Sequence, residues 1–112
     1  MLREERKTTS VQGADLFLRE WRHESEEAGA AVVLVHGSGE HGERYRHVAE
    51  RLTEAGWLVV AFDHYGHGRS GGIRGHMISI DAAVDDTAMV IEETGRRHPG
   101  LPLFLYGHSM GG

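Results

Sequence analysis

Three short apolar runs set the limits on what this chain can fold into: AAVVLV at 30–35, WLVVAFD at 57–63, which closes on an aspartate, and LPLFLY at 101–106. Each has the length of a strand and lacks the alternation of a strand with one wet face. Runs of this kind suit strands covered on both faces, as in a parallel sheet. Helical periodicity fills the gaps between them. From Glu43 to Ala55 the apolar residues Tyr45, Val48, Ala49, Leu52 and Ala55 recur at helical spacing, and Gly56 is placed to stop the helix. From Asp81 to His98 the stripe is Val84, Ala88 and Ile91, with Ser79 or Asp81 as cap and Arg96 and Arg97 at the negative end of the helix dipole. Strand, helix, strand in that order predicts a right-handed crossover and a parallel pair. Ahead of these elements, residues 6–12 and 14–21 read as two strands turning at Gly13. The expected class is α/β, a mostly parallel sheet with crossover helices.

The 112 residues fit a single domain with no repeat or internal boundary, and 26% charged with 39% hydrophobic residues is an ordinary globular composition. A net charge of −5, with both signs interspersed, argues against a nucleic-acid partner. The absence of cysteine excludes disulfides, thiolate nucleophiles and Cys-based zinc sites. MLREERKTTS has no apolar core of a secretory signal, and the run Ala30 to Val35 is far too short to span a bilayer. The default expectation is a soluble cytoplasmic protein.

Chemistry concentrates where strands end. Gly107-His108-Ser109-Met110-Gly111 matches G-x-S-x-G directly after the third apolar run. A serine on a very tight strand-to-helix turn has its Oγ exposed above the sheet, and side chains two positions to either side would collide there, so the turn needs glycine at Gly107 and Gly111. The Met110 N–H then falls at the start of the next helix, where developing negative charge is stabilised. The second cluster, HGSGEHG, follows the first apolar run and has two readings. As G-x-G-x-x-G over Gly37–Gly42 it is a dinucleotide-binding turn, with Asp63 about 20 residues on as the ribose-binding acid. As H-G-x-G it is a turn whose backbone N–H holds an oxyanion. Glu40 and Glu43 put negative charge where a pyrophosphate belongs, and His41 stands where that fingerprint wants a small residue. Only the oxyanion reading makes use of G-x-S-x-G after a later parallel strand, since the N–H groups of Ser38 and Met110 could then converge on one oxygen. The oxyanion reading is preferred.

Between the second run and the second helix lies HYGHGRSGGIRGHMISI, long and glycine-rich enough to expect a function. His36, His41, His64 and His67 are expected to hold loops by hydrogen bonding rather than to catalyse. His108 is adjacent to Ser109, and neighbours in a tight turn point apart. Asp63 is expected to tie down the loop it begins, and Asp85 and Asp86 to form a solvated helix face. A cation site built on His64-x-x-His67 with Asp63 is a further, weaker reading.

With these motifs in place, HGSGEHGERY, FDHYGHGRSGG, IRGHMISIDAAVDD and HPGLPLFLYGHSMGG together resemble the α/β-hydrolases of the monoacylglycerol lipase and lysophospholipase type, also labelled serine aminopeptidase S33-like. The likeness runs from about Asp15 to Gly112. It implies an α/β-hydrolase fold and a serine esterase acting on monoacylglycerols or similar lipid esters, with no metal or organic cofactor. Ser109 matches the family nucleophile, Ser38 (often alanine in relatives) the first oxyanion donor and Met110 the second. In this family the triad acid and histidine follow the nucleophile, so residues 1–112 are expected to be an incomplete hydrolase domain, inactive alone. The family strand order also puts LPLFLY at an exposed sheet edge. Acyl and alcohol preference, and any peripheral contact with a membrane surface, are left open.

Overall fold

The computed structural model describes residues 1–10, 13–24, 27–36, 45–72 and 80–107. Its elements are β1 (Leu2–Thr9), β2 (Asp15–Arg22), β3 (Ala30–Val35), α1 (Arg46–Glu54), β4 (Trp57–Phe62), α2 (Ile80–Arg97) and β5 (Leu103–Gly107). One five-stranded sheet has the order β1-β2-β4-β3-β5. The pairs β4–β3 and β3–β5 are parallel, whereas β1–β2 and β2–β4 are antiparallel. The expected α/β architecture is therefore present, with an antiparallel hairpin added to a parallel core. Among the described residues, no helix is long and apolar enough to cross a membrane.

Alternation along the strands sorts the core into two layers. Leu16, Leu18, Ala31, Val33, Val35, Leu58, Val60 and Phe62 lie on one face with Val90 of α2. Trp21, Val32, Leu34, Val59 and Ala61 lie on the other with Ala49 of α1. The apolar runs carry no alternation in composition because each face meets a helix. α1 ends as expected: Gly56 has φ +94°, and its N–H donates to the Thr53 carbonyl at 3.1 Å.

Four expectations need correction. β1 begins at Leu2, not residue 6; its polar residues give no apolar signal, and it is held by full-length pairing from Leu2↔Arg22 to Thr9↔Asp15. β5 is not fully buried, since β3 is its only described strand neighbour, and Phe104, Leu105 and Tyr106 are 53%, 55% and 54% exposed. This edge position is the one implied by the family strand order. α2 turns its expected stripe only partly inward: Ile91 packs against the core, but Val84 is 58% exposed and Ala88 is also exposed, while Asp86, Val90 and Thr94 are buried. Asp86 is thus no part of a solvated face; it accepts a hydrogen bond from Ser10 Oγ at 3.0 Å, which ties the turn after β1 to α2. Asp85 is exposed as expected. In α1, likewise, Ala55 faces solvent and Thr53 is buried in its place, its hydroxyl donating to the Glu50 carbonyl at 3.0 Å.

Candidate active site at the carboxyl edge of the sheet

Three strands stop at one level. Val35 at the end of β3 is in register with Phe62 at the end of β4 and with Gly107 at the end of β5. Neighbouring strands lie about 4.8 Å apart, so the described ends of β3, β4 and β5 stand side by side on one edge. This is the edge at which open parallel sheets place their ligands. Gly107 is the only predicted site residue that is described. Ser38, Ser109, Met110 and Gly111 lie outside the described residues, as do His41, His108 and the Gly37–Gly42 turn.

The segment after β4 is fastened by the neighbouring strand β2. Arg19 of β2 donates from both terminal nitrogens to the Asp63 carboxylate, at 2.8 and 3.2 Å, and both residues are buried. The Arg69 backbone N–H donates to the same carboxylate at 2.9 Å. Ser70 Oγ donates to the Asp63 carbonyl at 2.5 Å and accepts from the Phe17 N–H at 2.8 Å. Phe17 in turn lies close to the guanidinium groups of Arg19 and Arg69, at 4.6 and 4.1 Å. Gly72 closes the turn at φ +103°, where an added Cβ would come within 2.6 Å of the Tyr65 ring. The expectation that Asp63 ties down its loop is borne out, through a partner on β2.

Above this sits a cluster of buried imidazoles. His36 and His64 have ring centroids 4.3 Å apart, and His67 lies 5.5 Å from His36. The His64 N–H donates to His36 Nε2 at 2.8 Å, and His64 Nε2 pairs with the His36 carbonyl at 3.0 Å. These partners assign the tautomers: His36 carries its proton on Nδ1 and His64 on Nε2. His67 Nδ1 donates to the Tyr65 carbonyl at 2.9 Å. Burial, above all, holds the His64 imidazole below its ordinary pKa; the hydrogen bond to the His36 carbonyl works against this, nearby His67 acts with burial, and Asp86 and Asp63 oppose it. All three histidines hold loops, as expected.

Comparison with known proteins follows this geometry. Residues 26–112, more than half of the chain, match the family described as Serine aminopeptidase, S33. The chain belongs to this family. A monoacylglycerol lipase of Mycolicibacterium smegmatis is 43% identical over 110 residues, which are 98% of this chain and 39% of that protein. The human monoglyceride lipase is 39% identical over 103 residues, 92% of this chain and 34% of that protein. Among solved structures, a thermostable carboxyl esterase from Bacillus coagulans superposes with a TM-score of 0.87 at 29% identity, covering 99% of this chain and 37% of that one. This S33-family chain thus has the α/β-hydrolase fold, and it spans between a third and two fifths of the length of these relatives.

The S33 fold accounts for residues that the two competing readings needed. Asp63 is fully buried against Arg19, so it does not face a ribose. Its oxygens and His64 Nε2 are already engaged, which leaves His64-x-x-His67 without the carboxylate that a cation site there would use. Sequence reasoning missed Arg19, Ser70 and the Ser10–Asp86 bond. The available signal was a charged pair, Arg19-Glu20, set between the apolar Leu18 and Trp21 of β2. Both are buried, Glu20 pairing with Arg6 at 3.1 Å and His98 at 3.2 Å on the opposite face.

Proposed function

We propose that residues 1–112 form the nucleophile-bearing part of a serine ester hydrolase acting on monoacylglycerols or similar lipid esters. Ser109 Oγ attacks the ester carbonyl carbon, a histidine takes the hydroxyl proton, and the alcohol leaves to give an acyl-enzyme that water then hydrolyses. The N–H groups of Ser38 and Met110 hold the tetrahedral oxyanion, which at 38 depends on backbone rather than side chain. Gly107 and Gly111 flank the nucleophile on its tight turn.

One observation carries the reading: the register that aligns Val35 with Gly107 starts the HGSGEHG and GHSMGG segments from adjacent strand ends. Family membership and the names of the relatives support the substrate class. The described histidines supply no base for Ser109. His36, His64 and His67 are committed to loop bonds, His23 and His98 line a pocket at the other end of the sheet, and His47 is exposed on α1. His41, His76 and His108 lie outside the described residues, and it is the family resemblance that assigns the base and its acid to chain following the nucleophile in a protein of the relatives' length.

In a protein of the relatives' length that contains this chain, a fluorophosphonate probe labels Ser109, and Ser109→Ala abolishes labelling. A folded protein that stays unlabelled refutes the proposal. Residues 1–112 alone give no burst with a p-nitrophenyl ester; a burst would show that the chain holds its own base.

A further inference from the structure

We infer that His36 and His64 are a reciprocal positioning pair for the proposed oxyanion donor, acting through the end of β3. The inference rests on the function proposed above. Extending the β3–β4 register two residues past Val35↔Phe62 would aim the His64 N–H at the His36 carbonyl, the next bond of a parallel ladder. That bond is replaced. The His64 N–H goes to the imidazole of His36, and the carbonyl of His36 is met by the imidazole of His64. Two backbone groups that would otherwise be buried and unpaired are thus satisfied by two side chains, each carried by the opposite strand end.

Such an exchange has a geometric consequence. A direct backbone bond would hold the two segments at ladder spacing, whereas two bridging rings let them part by the width of an imidazole while fixing both. The ring of His64 also packs edge-on against Phe62 at 5.1 Å, and Arg19 and Ser70 anchor the segment that carries it. His36 is therefore held by a rigid partner two residues before Ser38. An oxyanion donor works only if its N–H is aimed in advance at the oxygen that becomes charged, and a misplacement of about 1 Å costs on the order of 100-fold in rate. The pair contributes that aim without touching substrate. Tautomer matters too: only an unprotonated Nε2 on His36 can accept, and only a protonated Nε2 on His64 can donate.

The test uses an active protein of full length. Glutamine places a polar atom near the imidazole Nε2 position, and asparagine stops short of it. His36→Asn and His64→Asn are expected to lose at least about tenfold more kcat than His36→Gln and His64→Gln, with KM within about twofold. The rate of Ser109 phosphonylation falls in parallel. Equal kcat in the Asn and Gln variants, or an effect confined to KM, overturns the inference. Nitrogen-15 NMR of the unmutated protein gives an independent reading should the Asn variants fail to fold. It is expected to show His36 protonated on Nδ1 and His64 on Nε2, and the opposite tautomer at either residue overturns the pair. An unmutated protein that resists phosphonylation refutes the hydrolase proposal instead, and the NMR arm still decides whether the pair exists.

Discussion

Asp63 and Arg19 show how one buried ion pair can be indispensable without being a large net source of stability. Two charges taken out of water forfeit hydration that their mutual attraction roughly restores, but removing one partner strands the other. Asp63→Ala removes the carboxylate that both terminal nitrogens of the buried Arg19 guanidinium reach, and it also frees the Arg69 N–H. The expected loss is about 3–5 kcal/mol in unfolding free energy, read from denaturant titration. Adding Arg19→Met removes the stranded charge, so the double variant should be more stable than Asp63→Ala alone; an additive further loss would contradict this account. His64 makes a second residue-scale case, in which the sign can be worked out. Its folded pKa is lowered by burial, with His36, His67, Asp63 and Asp86 around it. Below the ordinary imidazole value of about 6.5 the unfolded chain binds a proton that the folded chain refuses. Stability is therefore full above that pH and declines as pH falls toward the folded pKa. His64→Gln should flatten this acid limb in chemical unfolding measured between about pH 7 and 5, and an unchanged slope would remove His64 as its cause.

At the level of elements, α2 separates what composition shows from what only packing decides. Its existence and its end near His98 follow from periodicity and from the Pro99-Gly100 break, within a residue of the observed Ile80–Arg97, and β3, β4 and β5 follow from their apolar runs. Its orientation does not. The buried stripe is Asp86, Val90 and Thr94, two of them polar, because Ser10 satisfies the carboxylate of Asp86 and the Val90 carbonyl satisfies the Thr94 hydroxyl. A polar group paired in this way can be buried at little cost, so ranking faces by apolarity found Ile91, which packs against the core, but also selected the exposed Val84 and Ala88. The two faces predict opposite results. Asp86→Ala should destabilise by about 1–3 kcal/mol, since it leaves the buried Ser10 hydroxyl without that acceptor. Val84→Lys should stay within about 0.5 kcal/mol of the parent. Thermal unfolding that ranked them the other way would restore the apolar face. The same limit applies to the candidate site. The Gly107 strand end was legible because glycine and position in the chain mark it, and Asp63 because it closes an apolar run. Arg19 was hidden, since nothing local tells which strand lies beneath a loop.

For the whole molecule, the consequence lies at β5. Its outer edge has no described strand beside it, and it presents Phe104 and Tyr106 on the α1 face and Leu105 on the other. Phe104 leans edge-on against Trp57 at 5.2 Å, and Tyr106 helps line an apolar cavity of about 230 Å³ with Val32, Leu34, Val48, Leu52 and Trp57. An unpaired parallel edge supplies backbone donors and acceptors, and the flanking side chains supply apolar area at about 25 cal/mol per Å². The opposite edge is protected by composition, since β1 is LREERKTT, a strand whose charges disfavour pairing with another chain. Association of residues 1–112 should therefore run through β5 alone. It should strengthen with concentration and change little with salt, because burial rather than charge drives it. Leu105→Lys and Phe104→Lys should each return the chain toward monomer in light scattering, while a charge reversal on β1 such as Arg3→Glu should not. A chain that stays monomeric at about millimolar concentration, or one dispersed by salt, would show that β5 is not the adhesive edge.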